Sequence, residues 1–279
     1  MIMGKYLNES VPAKERVGQV GVNKDGDKME IIDYNSYEDV IVEFLDGNGC
    51  VVHTQYINFL KGYVKNYNRV VYGNHGYLGQ GPYSSEHRDE NGKRILHNEY
   101  KIWAGMHKRA ENFDGKHPSY KDVTVCKEWY NFQNFAKWYN EHKYALEDDF
   151  LCLDKDILYP ESRIYSPKTC CLIPNSINEI FKDFSNYKND GLPIGVTRRT
   201  DSKSVRYRAR TTSINEFGDV VYVNKTFTNV PDAYLFYKEN KEKYVKFIAE
   251  KYKDVIDVNI YLKLIDFEVK TEVDIYSFI

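Results

Sequence analysis

The sequence has no apolar run close to the ~20 residues that a membrane-spanning helix needs. Its first twenty residues, MIMGKYLNESVPAKERVGQV, meet charge at once and lack the apolar stretch of a secretory leader. Cysteine is scarce: Cys50, Cys126, Cys152, Cys170 and Cys171 are odd in number, and no two share the two-residue gap of a zinc knuckle or a redox pair. These absences exclude a disulfide scaffold and a membrane span, and the expected setting is a reducing cytoplasm. Net charge is also missing. The 39 Lys and Arg against 41 Asp and Glu leave −2, so the whole-chain charge makes no case for nucleic acid. The glycine-rich run GNHGYLGQG, with Gly73, Gly76, Gly79 and Gly81, lacks both the lysine of a phosphate-binding P-loop and the G-x-G-x-x-G pattern.

What is present is aromatic: 25 Tyr, 14 Phe and 3 Trp in 279 residues. A tyrosine gives a small core a large apolar body with a polar tip, and gives a nucleic-acid surface a stacking plate. The length suits about two domains at ~150 residues each, and the pattern of elements predicts a modular α+β chain. Residues 17–68 read as a small β module. Strands are expected at Met29–Tyr34, Val40–Phe44 and Gly49–His53, with Asp46-Gly47 and Asn48-Gly49 marking the hairpin between the last two. Residues 69–96 read as a linker or ordered loop. From residue 97 the pattern is helical: Tyr100, Trp103, Met106 and Arg109 share a face, and Lys127–Trp138 carries a second stripe with Trp129, Phe132, Phe135 and Trp138. Trp103 and Trp129 are expected to anchor a core, and His107 and Arg109 to be solvent-exposed or to face a groove.

Residues 150–184 predict a strand–loop–strand–helix unit. The strands are Leu151–Leu158 and Cys170–Ile173, and the helix after Pro174 contains Ile177, Ile180 and Phe181. Asp154 falls near the end of the first strand and Asn178 on the first turn of the helix. If the helix packs across the strands, both oxygens can reach one divalent ion, and Mg²⁺ or Mn²⁺ suits such a pair. Residues 191–255 form the last module. Residues 191–230 concentrate Arg198, Arg199, Lys203, Arg206, Arg208, Arg210 and Lys225 against Asp201, Glu216 and Asp219, a local basic footprint. The alternation Val205-Arg206-Tyr207-Arg208-Ala209-Arg210 puts three arginines on one strand face. A helix from Pro231 to Glu250 covers the other face. Residues 256–279 read as a terminal strand or packed tail.

The 150–184 unit resembles the ββα-metal (His-Me finger) core of HNH nucleases. Leu153-Asp154-Lys155-Asp156 matches the first element, Thr169–Pro174 the second and Asn178 the helical Asn. Over roughly residues 97–184 the chain is similar to phage-encoded HNH-like proteins, in the blocks Trp103, Met106 and Arg109, then Val125 to Phe135, then Cys170, Pro174 and Asn178. Residues 194–250 resemble the AP2-type DNA-binding domain, whose three-stranded sheet enters the major groove backed by a helix. The resemblance implies that Asp154 and Asn178 hold Mg²⁺ or Mn²⁺, that Lys155 and Asp156 occupy the catalytic positions, and that His107, Arg109 and Thr169 support them. It also implies that Arg198, Arg199, Arg206, Arg208, Arg210 and Lys225 contact double-stranded DNA.

The chain departs from the family at the base. Lys155 stands where the general-base histidine is expected, and Thr169 stands at the middle Asn. Imidazole takes a proton near neutral pH, whereas lysine, with a reference pKa of ~10.4, stays charged beside a phosphate. All seven histidines precede residue 143. Two nucleic-acid functions therefore remain open, beside an interaction protein with no nucleic-acid role, to which the near-neutral net charge points. One is a metal-dependent DNA endonuclease that hydrolyses backbone phosphodiesters. The other is a catalytically degenerate DNA-binding protein with a regulatory or anti-defence role in phage infection, acting in the host cytoplasm.

Overall fold

The computed structural model describes residues 15–111, 121–185, 191–199 and 205–271. Lys203 and Asp201 of the basic segment, and the end of the tail beyond residue 271, lie outside the described residues. The chain is a mixed α/β protein of several small sheets and helices, and it divides into two compact units. Residues 1–141 with 163–166 make unit 1, and residues 142–162 with 167–279 make unit 2. Among the described residues no helix is long and apolar enough to cross a membrane.

Unit 1 begins with an antiparallel sheet in the order β1 (Val20–Val22), β2 (Lys28–Tyr34), β3 (Val40–Phe44), β4 (Val51–Thr54). Alternation along β2 and β3 sends Met29, Ile31, Val40, Val42 and Phe44 to one face, where they pack with Phe59 of the short helix α1 (Tyr56–Leu60). The three expected strands are present with shifts of one or two residues at their ends, and β1 adds an edge that its three residues do not announce in sequence.

The 69–96 stretch is more ordered than its composition suggests. It forms two hairpins, β5 (Val70–Tyr72) with β6 (Gly76–Tyr77) and β7 (Glu86–Arg88) with β8 (Arg94–Leu96). Gly79, at φ +68°, has no room for a Cβ because the Asn131 side chain fills that space. Gln133 then pins the loop: its amide donates to the carbonyls of Leu78 (3.1 Å) and Tyr83 (2.9 Å), and its oxygen accepts from the Tyr83 N–H (3.0 Å).

Helix α2 (Asn98–Glu111) presents Trp103 and Met106 to an aromatic core with Trp129, Phe132 and Phe135, all fully buried. The second helical stripe is broken in two. A 3₁₀ turn (Lys127–Tyr130) ends at Asn131, whose side chain accepts the Gln133 N–H (2.9 Å) to start α3 (Phe132–His142). Strand β9 (Thr124–Val125) pairs in parallel with β11 (Ile164–Tyr165), a segment that reaches unit 1 from forty residues downstream.

In unit 2, β10 (Leu151–Asp154) pairs antiparallel with β12 (Cys171–Pro174), and α4 (Asn175–Ser185) follows without a loop. Strand β10 is half its expected length. The Asp154 carboxylate captures the N–H groups of Asp156 (2.9 Å) and Ile157 (2.6 Å) and turns the chain. A second sheet follows in the order β13 (Val196–Arg199), β14 (Arg206–Ile214), β15 (Val220–Phe227), and then α5 (Val230–Tyr252).

The Asn229 side chain accepts the Asp232 N–H (2.9 Å) and Pro231 occupies the first turn, so α5 is started by a cap that leaves the proline's missing donor harmless. At ~1.5 Å per residue α5 is about 34 Å long. Its first half packs Ala233, Tyr234 and Tyr237 with Tyr207 and Ala209 of the sheet. Its second half packs Val245, Ile248, Ala249 and Tyr252 with Ile157, Ile173, Ile177 and Ile180 of the hairpin unit. Of the two forms expected for the tail, a strand or a packed segment, the described part is a packed helix, α6 (Val258–Ile265). Asp257 caps it through the Asn259 N–H (2.7 Å), and Ile260 and Leu264, four apart, enter the same core.

Candidate functional site

Two places in unit 2 collect the residues that the sequence marks for chemistry. In the hairpin unit Lys155 is turned inward, Asp154 is half-buried and Asp156 is exposed. The β10–β12 register sets Asp154 opposite Cys171 and Leu151 opposite Pro174, so Asp154 and the start of α4 lie at opposite ends of the ladder. Helix α4 returns across it, since Ile177 and Ile180 share a core with Ile157 of the Asp154 turn. Asn178 is half-buried on the first turn of α4.

Burial pushes the Asp154 carboxyl up, with the Asp156 charge adding to the rise, against the lowering effect of the two peptide N–H groups. Burial likewise raises the Cys171 thiol, with the Asp154 charge adding to it, so this cysteine is no nucleophile. Lys155 is 4% exposed; its ammonium pairs with the Asp156 carboxylate and reaches the Ser162 carbonyl at 3.4 Å. The resemblance puts Lys155 at a catalytic position. The fold assigns it to an internal bridge instead. Thr169 is half-buried with its hydroxyl 4.0 Å from the Cys170 sulfur.

Two of the supporting residues, His107 and Arg109, belong to unit 1. His107, expected at the surface, is fully buried, with Nε2 donating to the Trp129 carbonyl (3.2 Å) beside the Trp103 indole N–H that donates to the same oxygen (2.7 Å). Arg109 is half-buried and donates to the Tyr165 hydroxyl (3.2 Å).

Mg²⁺ asks for near-octahedral oxygen ligands and binds through one or two carboxylates that are free to face it. Here one Asp154 oxygen closes the turn, Asp156 neutralises Lys155, and that ammonium sits within the same turn as the proposed ligand. Among the described residues no group of three or more His, Cys, Asp or Glu side chains is gathered as metal ligands would be.

In the β13–β15 sheet the charges are turned outward. Residues opposite each other in an antiparallel ladder share a face. Register therefore puts Arg199 with Arg206, then Thr197 with Arg208 and Thr226, then Arg210 with Asn224, then Thr212 with Tyr222 on the face away from α5. No carboxylate lies among these positions. Arg206, Arg210, Tyr222, Asn224 and Thr226 are exposed, Arg199 and Arg208 half-buried. Among the described residues the Arg208 Nε is buried without a hydrogen-bond partner.

The ladder splits the six basic residues marked in sequence. Arg198 stands opposite Tyr207 with its guanidinium 6.0 Å from that ring, and Lys225 stands opposite Ala209 with its ammonium 5.3 Å from the Phe227 ring and 5.7 Å from the Phe236 ring. Both are exposed, yet they belong to the helix side of the sheet. Sequence reasoning also passed over Tyr222, Asn224 and Thr226. Their signal was the period-two spacing in VVYVNKTF, readable once the Asn215–Asp219 turn fixes the register. No family model, curated protein or solved structure matches the chain.

Proposed function

We propose that this chain is a duplex-DNA-binding protein that meets DNA with the outer face of β13–β15, and that the β10–β12–α4 unit serves as scaffold without hydrolysing it. The observation that carries this is the face itself. Among the described residues it is a patch of four arginines interleaved with Thr, Asn and Tyr, with no acid in it and a buried guanidinium nitrogen lacking a partner. Such a patch is complementary to phosphate and can hydrogen-bond base edges. Three strands ~4.8 Å apart place the outer two about 10 Å from each other, within the ~12 Å width of the B-form major groove. The major groove of A-form RNA is too deep and narrow to be read in this way, so DNA is the expected duplex.

This corresponds to the AP2-like reading of residues 194–250 and to the degenerate form of the HNH-like reading, with a regulatory or anti-defence role in phage infection. The test is salt-dependent binding to a mixed-sequence duplex. The wild-type protein should bind with affinity falling steeply in salt, and the triple Ala variant of Arg206, Arg208 and Arg210 should flatten the log–log slope by about 2–3. An unchanged slope, or equal affinity for double-stranded RNA, defeats the assignment. Hydrolysis is checked in the same series: DNA cleavage in Mg²⁺ or Mn²⁺ that disappears in Asp154→Ala would establish the endonuclease reading in its place.

A further inference from the structure

We infer that sequence recognition is concentrated on the Arg210–Asn224 rung, with Tyr222 beside it, while Arg199 and Arg206 hold the backbone. This rests on the proposed DNA-binding reading and divides the labour within that face. Arg210 and Asn224 lie directly opposite on β14 and β15, so their Cβ atoms are about 5 Å apart and their planar ends can address one neighbourhood of the groove. Both are exposed, and among the described residues neither side chain is tied up in a hydrogen bond or ion pair. Arg199 and Arg206, by contrast, already have interactions of their own. Arginine fits the O6 and N7 acceptors of guanine in bidentate fashion, and asparagine fits the N6 and N7 of adenine. A base-reading position needs this kind of freedom, whereas a phosphate clamp works as well from an already braced guanidinium.

Geometry adds a period. Same-face residues on a strand recur every ~6.8 Å, which is two base-pair rises of ~3.4 Å. A strand lying along the groove thus addresses alternate base pairs. Next to the Arg210–Asn224 rung stands Tyr222, 65% exposed opposite Thr212, an apolar plate suited to a thymine methyl. The contact rows expected along β14 are therefore backbone at Arg206, mixed at Arg208, and base edge at Arg210–Asn224 and Tyr222.

The experiment is selection of bound duplexes from a random DNA library by the full-length protein, followed by the same selection with Arg210→Lys, Asn224→Ala and Tyr222→Ala. The wild type should enrich a short motif. Arg210→Lys and Asn224→Ala should each lose preference at adjoining positions, with roughly tenfold less discrimination, while affinity for random duplex and its salt slope stay unchanged. Arg206→Ala should do the reverse, lowering the slope and leaving the motif intact. A motif unaltered in both Arg210→Lys and Asn224→Ala overturns the inference, as does tight duplex binding with no enriched motif; in both cases the DNA-binding reading survives. Absence of duplex binding by the wild type fails that reading instead.

Discussion

In β10–β12–α4 and in β13–β15–α5 antiparallel strands carry charged residues and the helix that follows covers one face, but the cation of the first is buried while those of the second reach the outer face. In the first, Lys155 is 4% exposed and held by Asp156, and Asp154 is spent on its own turn. In the second, the arginines of β14 alternate with buried Tyr207 and Ala209 and project away from the helix. An internally paired charge fixes a conformation, and breaking the pair leaves an ion in a poor solvent. An exposed charge stabilises the fold little and stays accessible to a ligand. The contrast separates residues that look equally functional in sequence into a buried, paired set and an exposed set.

The largest effect that tests this division lies in the core under the buried cation. Ile177→Ala, at a fully buried site, should lower unfolding free energy by about 3 kcal/mol in denaturant titration, whereas Val220→Ala at the rim of the outward face should stay within about 0.5 kcal/mol. Next is the bridge. Asp156→Ala strands the buried Lys155 ammonium and should cost about 2 kcal/mol, while Lys155→Met should cost under about 1 kcal/mol. Neither should alter duplex affinity, and a loss of DNA binding in a stably folded Lys155→Met protein would erase the contrast.

On the outward side, Arg208→Met removes a buried Nε that has no partner among the described residues. Thermal stability should hold or rise by up to about 1 kcal/mol, with duplex affinity reduced at the same time. A drop in stability of that size would mean that Arg208 is structural.

The smallest effect is acid-dependent. The Asp149 carboxylate ties the start of α4 to α5 by accepting the Ser176 N–H (3.1 Å), the Ser176 hydroxyl (2.7 Å) and the Tyr252 hydroxyl (3.1 Å). Burial pushes its carboxyl up, but the hydrogen bonds from Ser176, Phe150 and Tyr252 outweigh it and hold the group below the usual carboxylate range. A depressed folded pKa means stability that is present above the unfolded value of ~3.9 and is lost as pH falls through the folded one. Asp149→Asn should therefore flatten the acid limb of a stability–pH curve below about pH 4, and an acid limb identical to the wild type would remove Asp149 from this role.

Sequence periodicity carried the regular parts well. The alternation in β14 and the stripe Trp103–Met106 follow directly from side-chain direction in strands and helices, and both occur where expected. What it carried poorly were effects that cross the chain. The end of β10 depends on a side chain bonding its own backbone. The burial of His107 depends on a carbonyl from Trp129, 22 residues on. The separation of Arg198 and Lys225 from the other arginines depends on register between strands. The terminal helix α6 was legible in principle, through Asp257 followed by Ile260 and Leu264, but β-branched residues in IYLKLI favour a strand on local propensity.

The short β11 segment has a genetic consequence. Residues 163–166 complete unit 1, where Tyr165 is 3% exposed and bonded by Arg109, yet they are encoded inside the stretch that builds unit 2. A fragment ending at residue 141 would lack that strand, and one beginning at 142 would carry it with nothing to pair. Neither half can be moved between genes as an intact cassette by a single crossover, because a cut on either side of residues 163–166 leaves one unit incomplete.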